Sequence, residues 1–298
     1  MLDLSYFQTG NSNVQAFYSN PGGWQTWIKP RGAKSINILC IGAGGGGGSY
    51  NAIQQAPGGG AAAGYVRATY QANILPDVLY VQTGIGGAGT TTSPQNGGTG
   101  SVSYVSIVPD STSRANIVCI SSATVAGGGA GASGGAGGVA SAAATPVSAS
   151  FLNLATSFTA AAGTTGGVGS RSTGQINVTG SILLTPGTGG GGGLGVNVAY
   201  PGGNILANGP VPFVSGGFAT INSTPSGRGN DGIIIYKPVL IFLGGTGGGC
   251  VRNGAAKAGD GGNGAYGCGG GGGGFSTSGP QGMGGRGGDG LVIITTTF

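Results

Sequence analysis

The sequence runs to 298 residues, 74 of them glycine, with eleven basic and six acidic side chains for a net charge of +5, and it contains no histidine. All the acids are aspartate, so the His and Glu that serve most general acid–base sites are missing, and an ordinary enzyme, cofactor site or metal centre is not expected. Long helices are excluded as well, because each interior glycine costs about 1 kcal/mol relative to alanine.

In chain order, residues 1–20 read as an N-terminal attachment arm carrying the aromatics Tyr6, Phe7, Phe17 and Tyr18. Residues 21–298 read as a single glycine-rich β domain. Lys29, Arg31 and Lys34 form the one basic cluster, too small and too poor in interleaved aromatics for nucleic acid. Strand-length apolar or β-branched bursts follow at 35–41, 65–70, 78–81, 102–108, 117–120, 182–184, 233–236, 239–243 and 291–294, several with period two. None approaches the roughly 20 residues of a membrane span, so membrane insertion is not expected. From about 139 to 243 glycine thins out and Ser, Thr, Ala, Val and Asn rise, which reads as an elaborated middle region of the same domain. The fold class expected is all-β, a β-sandwich with essentially no α-helix.

The bursts are separated by glycine blocks at 42–48, 58–60, 127–138, 189–193, 244–249 and 269–274. Flexible linkers are one reading. The other is polyglycine II, with three residues per turn and about 3.1 Å rise, whose free backbone groups bond to neighbouring chains when no side chain intervenes. The blocks are nearly pure Gly and Ala and abut strands directly, which favours the second reading.

Several motifs fall away. Ile36 to Gly47 runs a strand into G-x-G-x-x-G, but neither a helix nor an acidic residue about 20 positions on follows it. Asp110, Asp231, Asp260 and Asp289 sit beside Gly, Ser or Asn and read as turn residues. Cys40 and Cys119 lie in apolar runs and read as buried. Cys250 and Cys268 flank the glycine-rich stretch 251–267 and could close it as a disulfide.

Four ordered signatures carry more information: Pro21 to Gly32, with Trp24-Gln25-Thr26-Trp27 inside it, leading to the 35–41 burst and Gly44–Gly48; Val78 to Gly89 followed by Asn96-Gly97-Gly98-Thr99-Gly100-Ser101; the 117–120 burst with Ala126 to Gly131; and Gly284 to Thr295 at the end. In this order they resemble the glycine-rich domain of bacteriophage tail-fibre and related virion proteins. The resemblance covers 21–138 and 244–298 and leaves the middle region outside it. It implies a non-enzymatic virion protein on the tail or capsid exterior, often a homotrimer, with other virion proteins and a host surface receptor as partners. More loosely, the chain is similar to tail-tip adhesins in which polyglycine II bundles present loops to a receptor. Shaft regions usually precede such a domain, so its start within about 20 residues of Met1 reads as a small standalone component.

On that resemblance, receptor contacts are expected where larger residues break the glycine monotony: Tyr50, Gln54, Gln55, Tyr200, Phe213, Phe218, Arg228 and Phe275. A capsid decoration or capsid-fibre protein is the alternative, and a glycine-rich ice-binding or cell-wall protein a remote one.

Overall fold

Alternating apolar side chains give this chain two antiparallel sheets, and glycine gives it what lies beyond them. The computed structural model describes residues 11–20, 23–50, 56–130, 135–169, 178–179, 183–194, 198–237 and 239–298. Strands β1 (Ser12–Phe17), β2 (Gln25–Ile28), β3 (Ser35–Ile41), β4 (Tyr65–Gln71), β5 (Val78–Gln82), β6 (Tyr104–Ser106), β7 (Ile117–Ile120) and β8 (Ser157–Ala161) come first. Two-residue strands β9 to β16 lie between Val178 and Arg252, and β17 (Leu291–Thr297) is the last. Among the described residues the helical elements are short 3-10 turns at Arg114–Asn116 and Ser150–Leu154.

One sheet has the order β1-β17-β3-β4-β8 and the other β2-β5-β6-β7, all pairs antiparallel. Period two puts Ile36, Ile38 and Cys40, Val66, Ala68 and Tyr70, and Val292 and Ile294 on one face of the five-stranded sheet. There they meet Trp27, Leu79, Val81, Val105, Val118 and Ile120 of the four-stranded sheet in one buried core, so the expected β-sandwich is present. On the opposite face of the larger sheet, Ile41, Leu291 and Ile293 pack with Leu184 and Phe242 from the middle region.

The described parts of the glycine blocks form an ordered bundle and not linkers, residues 131–134 of the block 127–138 lying outside the described residues. Successive N–H groups of 44–49 donate to Gly288, Ala61, Gly98, Gly285, Gly58 and Gln95, at 2.8–3.0 Å. Every third residue thus returns to the same neighbouring segment, three residues lower along it. That is the signature of an extended helix with three residues per turn, bonded sideways to antiparallel neighbours. Segment 58–63 repeats the pattern toward Ala130 and Gly127, Gly167 and Thr164, and Gly270 and Gly267.

Most of these glycines are not needed for unusual dihedrals: among the described ones only Gly32, Gly135, Gly209 and Gly267 have positive φ. They are needed for proximity. A Cβ on Gly44, Gly45, Gly46 or Gly47 would overlap the carbonyl of Cys268, Gly127, Ala88 or Gly271 respectively, well inside 3.0 Å.

The same registers fix direction. Segments 44–48, 85–89, 126–130 and 163–169 leave strands β3, β5, β7 and β8, and their neighbours 57–63, 97–101 and 136–141 run back toward the sheets. Segments 188–191, 245–248 and 270–273 run parallel to 44–48, and 227–233, 259–265 and 282–288 return. The molecule therefore has two ends, a sandwich base and a loop-bearing tip.

Several sequence expectations are revised here. Residues 12–17, expected within the N-terminal attachment arm, form edge strand β1, paired with β17 from Ser12↔Thr297 to Phe17↔Val292. Cys250 and Cys268 are free thiols, as are Cys40 and Cys119, and all four are buried. Burial pushes the Cys250 thiol up to about 12, and the Cys268 thiol, buried and donating to the Phe242 carbonyl at 3.0 Å, is raised further. The middle region supplies β8 to the main sheet, and its Gly187 and Gly190 donate to Gly60 and Pro57 of the bundle.

Candidate functional site

Because outgoing and returning segments alternate, the described turns at their far ends collect at the tip. Ser49 bridges Gln95 through paired backbone bonds of 2.9 Å, and its hydroxyl donates to the Thr92 carbonyl at 2.5 Å. Gly273 N–H donates to Gly48, and Phe275 N–H to Gly191. Cys250 N–H donates to Tyr200, Val251 N–H to Phe275, and Thr220 N–H to Cys250. The loops around 49–50, 90–95, 192–194, 198–200, 218–226, 250–257 and 275–281 thus form one continuous end surface. Asn222 and Asn253 turn the chain there with φ of 75° and 54°, a conformation that asparagine adopts more readily than most residues.

The expected contact residues separate on this geometry. Phe218 lies at the tip and is 62% exposed, and Tyr50 and Tyr200 are there and half-buried. Phe275 belongs to the tip backbone but is buried beneath it, with the Arg252 guanidinium 6.0 Å from its ring centroid, so it offers no contact surface. Phe213 is exposed, but it sits on the 205–214 hairpin, whose Ile205 and Val211 pack with Ile241 and Leu243 near the base. Arg228 lies on the flank of the bundle, paired with Asp231 at 2.6 Å. Gln54 and Gln55 lie outside the described residues, as do Tyr6 and Phe7 of the expected arm. Phe17 is buried in the sandwich core, and Tyr18 packs its ring on Tyr266 at 5.9 Å, so both dock on the domain itself.

A second arrangement was missed in sequence reading. Asp231, Asp260 and Asp289 sit on returning segments and not in turns, each paired with a base three residues earlier: Arg228, Lys257 and Arg286. Three residues per turn stacks i over i+3, so the pair shares one face. Each carboxylate also accepts a backbone N–H from the adjacent segment, from Asn263, Met283 and Gly86 at 2.6–2.8 Å. The basic positions recur at a constant interval, 228, 257 and 286, and that spacing was legible in the sequence. Asp110 does hold a turn: bonds from the Thr112 hydroxyl and amide, with others from Ser113 and Asn116, keep its carboxyl below the usual range.

Among the described residues no group of three or more Cys, Asp, Glu or His side chains gathers. The tip presents exposed backbone, amides and aromatic side chains, Phe218 the most exposed of the expected contact residues there. Residues 19–297 match the model of a family described as a glycine-rich domain. No curated protein is significantly similar to the chain.

Proposed function

The chain belongs to the glycine-rich domain family, and on that premise we propose that it is a non-enzymatic structural protein of a bacteriophage virion, a tail-fibre or receptor-binding component. The tip is its adhesive surface and the sandwich faces the particle. The observation that supports this reading is the gathering of the loops at one end of a bundle whose backbone bonds hold them in place. A binding surface gains affinity when its loops are ordered before contact, because less conformational entropy is lost on association. Loops are also where composition changes with least damage to the support.

The purified protein should bind cells of the bacterial host and reduce phage adsorption in competition. Phe218→Ser should weaken both while leaving thermal unfolding unchanged, since Phe218 is 62% exposed. Absence of both binding and competition by the wild-type protein would overturn the adhesin reading and favour a capsid decoration protein.

A further inference from the structure

The outer face of the five-stranded sheet holds a groove of about 440 Å³, within the range of small-ligand sites. Its wall is built from the sheet itself. Register places Ile293, Leu39, Arg67 and Thr159 in one cross-strand row, with Thr295 and Asn37 in the next row and Tyr65 in the row on the other side. Leu183 and Leu240 close the groove from the middle region.

Two features set this groove apart from an ordinary sheet face. Arg67 lines it and finds neither a carboxylate nor a hydrogen-bond acceptor among the described residues. The described aspartates are committed elsewhere: Asp77, Asp231, Asp260 and Asp289 to other basic residues and Asp110 to its own turn. Leu183, moreover, holds φ at 86°, an uncommon conformation for a bulky side chain and one found at ligand-binding positions.

We propose that this groove binds a carboxylate-bearing sugar, a hexuronic acid or a similar acidic saccharide unit. A single planar guanidinium matches one carboxylate, two donors to two oxygens. The Asn37 amide and the hydroxyls of Thr159 and Thr295 around it suit ring hydroxyls, which both donate and accept. Leu39, Ile293 and the Tyr65 ring give the apolar floor on which a sugar's C–H face lies. A phosphate would call for further cations, and a fatty acid for a closed apolar tube without this polar rim. Seating the groups on paired strands fixes their geometry better than loops would. The inference rests on the sheet and not on the adhesive role of the tip.

The test is titration of the whole protein with glucuronic acid, glucose, acetate and inorganic phosphate, followed by calorimetry or ligand-observed NMR. Glucuronic acid should bind at least about tenfold more tightly than glucose or acetate. Arg67→Gln should erase the preference for glucuronic acid over glucose, and Arg67→Lys should keep part of it. Neither change should shift thermal unfolding, because Arg67 is exposed. Equal affinity for glucose, equal affinity for phosphate, retention of the preference in Arg67→Gln, or no binding at tens of millimolar would each overturn the proposal. Host-cell adsorption is not read in this experiment, so its failure leaves the reading of the tip intact.

Discussion

At the scale of single residues, the glycines of the bundle act by absence. Gly45 donates to Ala61 and accepts from Gly270, and the direction its Cβ would take is filled by the Gly127 carbonyl. The obstructing atom is backbone in a segment that is itself bonded on several sides, so no side chain can swing away. Gly45→Ala is therefore expected to destabilise by about 4 kcal/mol or more, beyond the usual range for overpacking. Gly209 provides the contrast. Its φ is +56° and no atom lies within 4 Å of an added Cβ, so Gly209→Ala meets only the left-handed backbone penalty of about 1 kcal/mol. Denaturant unfolding of the two variants beside the wild type checks the difference. Equal losses would mean that dihedral freedom, and not proximity, explains the glycines.

At the scale of elements, the strands differ in how far the sequence announces them. β3, β4 and β5 alternate because one face is buried in the core, while β17 is a continuous apolar run buried on both faces over Leu291–Ile294, and both patterns are readable from the order of the residues alone. β1 and β8, with the sequences SNVQAF and SFTAA, lie at the edges of the larger sheet, are half-buried or exposed along most of their length, and owe their conformation to a pre-existing neighbour. No local pattern marks them. The glycine blocks were legible as a bundle, but its three-residue period was not carried through to side chains. Doing so moves Asp231, Asp260 and Asp289 out of turns and Arg228 from a loop to the flank.

The same period explains two threonines in the segment 185–191. Thr185 and Thr188 lie one turn apart, and their hydroxyls accept the N–H groups of Gly244 and Gly247 at 2.6 and 2.7 Å. Thr188 also donates to the Gly203 carbonyl at 2.6 Å, so one buried hydroxyl joins three segments. Thr188→Val keeps the shape and removes both bonds, leaving a buried donor and a buried acceptor without partners. A loss of about 3 kcal/mol is expected in denaturant unfolding, where a surface threonine change would give almost nothing.

At the scale of the whole molecule, the base and bundle form one cooperative unit because their bonds ignore sequence distance. β3 at 35–41 pairs with β17 at 291–297, and segment 44–48 bonds to 58–61, 98 and 285–288. Such pairings bring together residues far apart in the chain, which makes folding slow for the chain's size. They also mean that no bundle segment can open alone, since each is tied on several sides. Local opening needs few such ties and exposed backbone, which the tip turns offer. Hydrogen exchange should therefore split the chain sharply. Amides of 44–48, 58–63 and 270–274 should exchange only through global unfolding, with the same free energy as those of β3 and β17. Ser223, Thr224 and Ser278, exposed or half-exposed in the tip turns, should exchange rapidly. Random-coil exchange across the glycine segments would reduce them to linkers and remove the stiff support on which the adhesive reading of the tip depends. Uniform protection that extends into the tip turns would instead show them locked into the bundle.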